Sequence, residues 1–146
     1  MELLHIGFTG TRQGMTSPQR AKLTSILQNY SIATAKHNWF HHGDCIGADA
    51  QAHEIALNIG YLIHICPSDL LTRAHCKHST VCEAPQAAIL RNHHIVDASH
   101  ILIACPKSPT ECLRSGTWAT VRYARRASHQ YLIINPDGCH SSSEVR

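Results

Sequence analysis

Apolar positions along the chain follow two regimes. Short apolar runs alternate with stretches in which apolar residues recur three or four positions apart. Leu3-Leu4-His5-Ile6-Gly7-Phe8 reads as a buried strand. Ser17-Pro18 then opens a helix, with serine as cap and proline in the first turn, and Leu23, Ile26, Leu27 and Tyr30 follow at helical spacing. Residues 37–42, containing Trp39 and Phe40, read as a second strand. Ala48, Ala52, Ile55, Ala56 and Ile59 mark a second helix closed by Gly60, and 61–65 form a third strand ended by Cys66-Pro67. Residues 67–85 lack periodicity and read as a long loop, the kind that often covers a site. A helix is expected from Pro85 to about Ser99, a strand over 100–104, and a helix opened by Ser115-Gly116. A last strand covers 131–134, Asn135-Pro136-Asp137-Gly138 turns, and 139–146 is expected to be a disordered tail.

Strands and helices alternate, which predicts an α/β protein: one Rossmann-like, doubly wound domain over 1–138 with a mostly parallel five-stranded sheet. Composition agrees. Over 146 residues, 43% apolar and 16% charged content excludes wholesale disorder. No apolar run approaches the roughly 18 residues of a membrane span. The start Met1-Glu2-Leu3-Leu4-His5 lacks a basic region and a long apolar core, so a cytoplasmic location is expected and no membrane partner.

The formal charge of +3 permits a small anion but argues only weakly for nucleic acid, and Arg122, Arg125 and Arg126 read as a solvated helix face. Seven cysteines without a CxxC pair are expected as free thiols. The stretch His75-Cys76-Lys77-His78-Ser79-Thr80-Val81-Cys82 offers two or three zinc ligands from one loop. Structural zinc sites show two paired half-sites and only one is visible, so no metal and no other cofactor is expected.

The chemistry concentrates in three polar segments, each just after an apolar strand. They are Gly7-Phe8-Thr9-Gly10-Thr11-Arg12, His42-Gly43-Asp44-Cys45-Ile46-Gly47-Ala48-Asp49 and Ser115-Gly116-Thr117-Trp118. In doubly wound sheets, ligands sit beyond the carboxyl ends of the strands where strand order reverses. Glycines there let backbone N–H groups approach a phosphate, Ser115 or Thr117 adds a hydroxyl, and Arg12 adds a forked guanidinium. A phosphate pocket should avoid carboxylates, so Asp44 points to ribose hydroxyls; Asp49 lies in a first helical turn, where the dipole alone explains a negative charge. Arg91-Asn92 in the third helix and Arg73 in the long loop are further candidates for the anion. Trp118 is equally suited to stacking on a base and to core packing.

These segments together resemble the SLOG superfamily, in particular its small stand-alone YspA-like members, over residues 3 to about 138. The resemblance implies a Rossmann-like fold that binds nucleotides or nucleotide-derived molecules; members include cytokinin-activating phosphoribohydrolases, DNA-processing DprA proteins and sensors of NAD-derived signals. Carried over by position, Gly10, Thr11 and Arg12 line the first loop, Gly43, Asp44, Gly47 and Asp49 form the second, where Ala48 is a further ligand-binding candidate, and Ser115, Gly116 and Thr117 match the phosphate loop. One departure matters. The phosphoribohydrolases carry P-G-G-x-G-T-x-x-E, and Thr120 stands where the catalytic glutamate belongs.

The leading expectation is therefore a binder of an ADP-ribose-like or cyclic nucleotide signal, acting as sensor or sponge with the 67–85 loop as lid. The alternative is a nucleotide N-glycosidase, and a DprA-like DNA binder ranks last for want of charge and interleaved aromatics. A homo-oligomer is expected, with the helix carrying Trp118, Val121, Tyr123 and Ala124 facing either a second copy or the core.

Overall fold

The computed structural model describes residues 3–70 and 72–143. In chain order the elements are β1 His5–Gly10, α1 Ser17–Thr34, β2 Trp39–His42, α2 Ala48–Ile59, β3 Leu62–Ile65, β4 Val81–Cys82, α3 Ala88–Asp97, β5 Ile101–Cys105, α4 Gly116–Arg126, β6 Tyr131–Ile134 and β7 His140–Ser142. They form one sheet in the order β4-β3-β2-β1-β5-β6-β7, parallel throughout except that β7 runs antiparallel to β6. The chain builds outward from β1 in one direction, then returns to β1's other edge with β5. That reversal between β1 and β5 leaves the crevice of a doubly wound fold.

Local chemistry fixes the ends of the helices. The α1 cap is Thr16, one residue before the expected Ser17: its side chain accepts from the Gln19 amide while the Gln19 side chain accepts from the Thr16 amide. Ser115 caps α4 by accepting from the Trp118 amide at 3.2 Å. Gly60 ends α2 in the left-handed region, at φ 110°.

Strand alternation separates two cores. Ile6, Phe8, Phe40, Ile63, Ile65, Ile103 and Ile134 pack with Leu23 and Leu27 of α1 and Ala48, Ala52 and Ala56 of α2. On the other face Leu102, Ala104 and Ile133 pack with Ile95 and Val96 of α3 and Trp118, Val121 and Ala124 of α4. The apolar stripe of α4 thus lies in the chain's own core, which leaves no such stripe for a second copy. Gly7 admits α3 on this face, since a Cβ there would come within 2.9 Å of the Ser99 Oγ.

Three expectations are corrected. The sheet has seven strands among the described residues, not five. β4 arises in the long loop because Val81 and Cys82 pair with His64 and Ile65. β7 arises in the stretch read as a tail, where His140, Ser141 and Ser142 pair with Ile134, Ile133 and Leu132. Residues 144–146 of that stretch lie outside the described residues. Both strands are short and polar or exposed, so neither shows an apolar run. The expected third helix is also shorter, running from Ala88 rather than Pro85.

Candidate functional site

A cleft of about 310 Å³ opens at the carboxyl end of β1, lined by Phe8, Thr9, Gly10, Thr11, Arg12, Gln13, Cys45, Asp49, Arg91, Asn92, Ile95, Arg114, Ser115, Gly116 and Thr117. It is the crevice at the β1/β5 reversal, and it draws on both faces of the sheet.

One wall is the start of α4. Ser115 satisfies the Trp118 amide, while Gly116 and Thr117 present the first turn of the helix to the cleft. A Cβ on Gly116 would meet nothing within 4 Å, so packing does not require glycine there; its missing side chain leaves room in the cleft. Arg12 and Arg114 stand exposed at the rim, and no hydrogen bond or ion pair engages either guanidinium among the described residues. Both are free to meet an anion.

The floor is different. Arg91 is buried; its Nη1 donates to the Gly43 carbonyl at 2.7 Å and to the Cys66 carbonyl at 3.4 Å, and its Nε donates to Asn92 at 2.7 Å. Gly43 makes this possible, since a Cβ there would stand 2.0 Å from Nη1. Beside it, Asp49 is 5% exposed, and its Oδ2 accepts from the amides of Gly43 and Cys45, both at 3.2 Å. Its Oδ1 is buried, and no protein N–H or O–H among the described residues donates a hydrogen bond to it. Burial pushes this carboxyl up to about 6, against the opposing pull of Arg91 and the two amides. An unsatisfied buried carboxylate oxygen on the floor of a cationic cleft is costly, and a ligand hydroxyl or N–H would relieve it.

Several sequence candidates lie elsewhere. Asp44 is fully buried and does not line the cleft. Its Oδ1 accepts from the Cys76 amide at 2.9 Å and its Oδ2 from Arg73 Nε at 3.1 Å. Burial alone would raise its carboxyl, but these bonds outweigh it and hold the group below the ordinary carboxylate range. Arg73 is therefore spent on Asp44 rather than on a ligand. Together with the bonds from Ile46 N–H to the Thr72 carbonyl and from Ala74 N–H to the Asp44 carbonyl, this pair straps the long loop to the second polar segment. No described residue of 67–85 lines the cleft.

Gly47 and Ala48 have a packing role. Gly47 sits at φ 87°, and a Cβ there would stand 2.3 Å from the Arg12 carbonyl oxygen. The Ala48 amide donates to the Thr11 carbonyl at 2.9 Å, and Ala48 fills the space that a Cβ on Gly10 would claim. These residues seat α2 against the first loop. Trp118 is buried in the second core and does not line the cleft. Arg114, Gln13, Cys45 and Ile95 join the cleft without a signal of their own in the sequence, although Arg114 directly precedes the expected phosphate loop.

No family model matches the chain, and no curated protein matches its sequence. Solved structures do match its shape. The molybdenum cofactor binding protein of Rippkaea orientalis superposes with a TM-score of 0.71 at 18% identity, over 92% of this chain and 78% of that one. The Moco carrier protein of Chlamydomonas reinhardtii gives 0.65 at 16%, over 90% and 76%. DNA processing protein A of Helicobacter pylori, described in a single-stranded DNA binding mode, gives 0.64 at 16%, over 89% and 64%. The chain shares the Rossmann-like fold of these structures. With a single-stranded DNA binding protein among the solved structures of this fold, the expectation that nucleic acid is an unlikely partner finds no support. No helix among the described residues is long and apolar enough to cross a membrane.

Proposed function

We propose that this SLOG-type domain binds a nucleotide-derived small molecule, of the ADP-ribose-like or cyclic nucleotide class, at the β1/β5 crevice. The observation that carries the reading is the unpartnered, buried Oδ1 of Asp49 in a cleft whose other charged side chains, Arg12, Arg91 and Arg114, are all cationic. A phosphate suits the first turn of α4 with Arg12 and Arg114; a ribose hydroxyl suits Asp49 Oδ1. The volume of about 310 Å³ is at the lower end of ligand sites, which run to about 300–1,000 Å³, and fits one nucleotide unit better than two. Bound there, the ligand would serve a sensor or a sponge of that signal.

The second reading, an N-glycosidase, is favoured by one observation. A carboxyl raised to about 6 in a cleft is the kind of group that enzymes use as acid or base. Thr120, at the position of the phosphoribohydrolase glutamate, donates its hydroxyl to the Gly116 carbonyl and supplies no carboxylate. Any such chemistry would fall to Asp49.

The test is to incubate the protein with ADP-ribose, cyclic and linear nucleotides, a phosphorylated pterin and a single-stranded oligonucleotide. Desalting, denaturation and mass spectrometry then identify what is released. Near-stoichiometric intact nucleotide is the expected result. Free base and ribose phosphate accumulating over many turnovers would make the protein an enzyme, and exclusive recovery of pterin or oligonucleotide would replace the ligand class.

A further inference from the structure

Outside the cleft, a second group of side chains converges at the carboxyl end of β3. His64 lies on β3, Cys66 just beyond it, Glu83 just after β4 and His94 on α3. One donor atom from each lies within 4.8 Å of every other, and none of the four lines the anion cleft. We propose that His64, Cys66, Glu83 and His94 form a four-ligand site for Zn²⁺ or a divalent cation of similar softness.

The spacing supports it. A tetrahedral zinc ion with bonds of about 2.0–2.3 Å holds its donors about 3.3–3.8 Å apart. Here Cys66 Sγ lies 3.7 Å from His64 Nε2, and Glu83 reaches both imidazoles through its two oxygens, Oε1 at 3.2 Å from His64 Nε2 and Oε2 at 3.4 Å from His94 Nδ1. One donor per residue keeps all four within 4.8 Å, a spread that a small rotation of the Glu83 carboxylate closes. The donors come from the end of β3, the segment after β4 and α3, so no single helical or strand repeat accounts for their meeting. One thiolate and one carboxylate neutralise a dication, which suits a place where His64 and Cys66 are buried and Glu83 and His94 are half-buried. Binding releases the Cys66 thiol proton to solvent.

A second shell is also present. His64 Nδ1 lies 2.7 Å from His41 Nδ1, and His41 Nε2 lies 2.8 Å from His5 Nδ1. With Nε2 on a cation, the His64 Nδ1–H donates into this chain, the device that orients metal-bound imidazoles.

A neighbouring trio, His42, His53 and Cys76, lacks these properties. The Asp44 amide donates to His42 Nδ1, His42 Nε2–H to His53 Nδ1, and His53 Nε2–H to the Lys77 carbonyl, so every ring nitrogen already has its role. That trio is a hydrogen-bonded strut.

The proposal stands independently of the ligand in the cleft, although the two sites share α3. His94 lies one turn beyond Arg91, so a cation would fix the helix that delivers the cleft's buried guanidinium.

The test uses the whole chain, stripped with chelator and titrated with Zn²⁺ and, in parallel, Co²⁺. One ion per chain is expected, with the visible absorption of tetrahedral cobalt and a near-ultraviolet thiolate-to-cobalt band. Cys66→Ser should abolish the thiolate band, and His94→Ala, at a half-buried helix position, should weaken zinc binding by roughly a hundredfold. Far-UV circular dichroism of the metal-free variants checks that both are folded. Absence of stoichiometric binding, an octahedral cobalt spectrum, or affinity unchanged by His94→Ala would each overturn the site.

Discussion

Because burial lifts the Asp49 carboxyl from 3.8 to about 6, the folded chain holds a proton there that the unfolded chain has lost. Between those values the folded state binds more protons, so stability falls as pH rises through the interval. The shift of about two units corresponds to roughly 3 kcal/mol, present as a penalty above pH 6 and absent below about 4. Asp49→Asn should flatten that part of the stability profile, measured by urea denaturation from pH 4 to 7. The ligand reverses the sign: a hydroxyl donating to Oδ1 favours the carboxylate, so wild-type affinity should rise as pH passes upward through 6 and the Asn variant should show no rise. An affinity that increases on acidification would place a phosphate against Asp49 instead. Two glycines of the same cleft should separate folding from binding. Gly43→Ala drives a methyl to within 2.0 Å of Arg91 Nη1 and costs its carbonyl bonds, for a loss of roughly 1–3 kcal/mol in stability and a loss of affinity. Gly116→Ala meets no atom, so thermal stability should hold or rise by up to about 1 kcal/mol while affinity falls, as calorimetry would show. A Gly116→Ala protein that binds normally would remove α4's first turn from the site.

Between elements, the Asp44–Arg73 pair decides what the long loop does. Asp44 is wholly buried and Arg73 about a quarter exposed, so cutting one partner strands a charge. Asp44→Asn and Arg73→Ala should both loosen 67–85, read as faster amide exchange and protease cleavage there, while ligand affinity stays within about twofold. A collapse of affinity on Arg73→Ala would return the loop to the site as a lid. This pair also shows where sequence reasoning ends. The sequence favours Asp44 over Asp49 because Asp49 has a ready explanation at a helix start, and the structure reverses the order: Asp44 meets a partner 29 residues away, while Asp49 keeps one oxygen unsatisfied. Local signals were legible. The turn after β6, the Ser115 cap, the Gly60 stop and strand 131–134 all follow from residues in contact along the chain. β4, β7 and the His5–His41–His64 chain were not, because each depends on a register between strands. Histidines occupy inward positions on the α3 face of β2 and β3 where the core pattern would put apolar residues. Burial and mutual repulsion push His41 down to about 3, so it stays neutral as a hydrogen-bonding spacer.

At the scale of the molecule, the cleft is where the two cores meet. Phe8 belongs to the core under α1 and α2, Ile95 to the core under α3 and α4, and both line the same cavity. A ligand that contacts Arg12 and Asp49 on one side and Arg114, Ser115 and Gly116 on the other therefore adds to the Arg91–Gly43 bond in joining the layers on the two faces of the sheet. At a hundred times its Kd such a ligand adds about 2.7 kcal/mol, a rise of roughly 5–10 °C in Tm for a chain of this size. That shift alone does not distinguish a bridging ligand from one docked at a single wall. Hydrogen exchange does. A bridging ligand should slow amides in 8–13 and 45–49 together with those in 91–95 and 114–117, because opening either layer would break contacts to the other. Protection confined to 114–117 would reduce the site to an anion seat on α4. Asp49 would then keep its unsatisfied oxygen in the bound state, and its carboxyl, raised by burial, would be left for the acid–base role of the second reading.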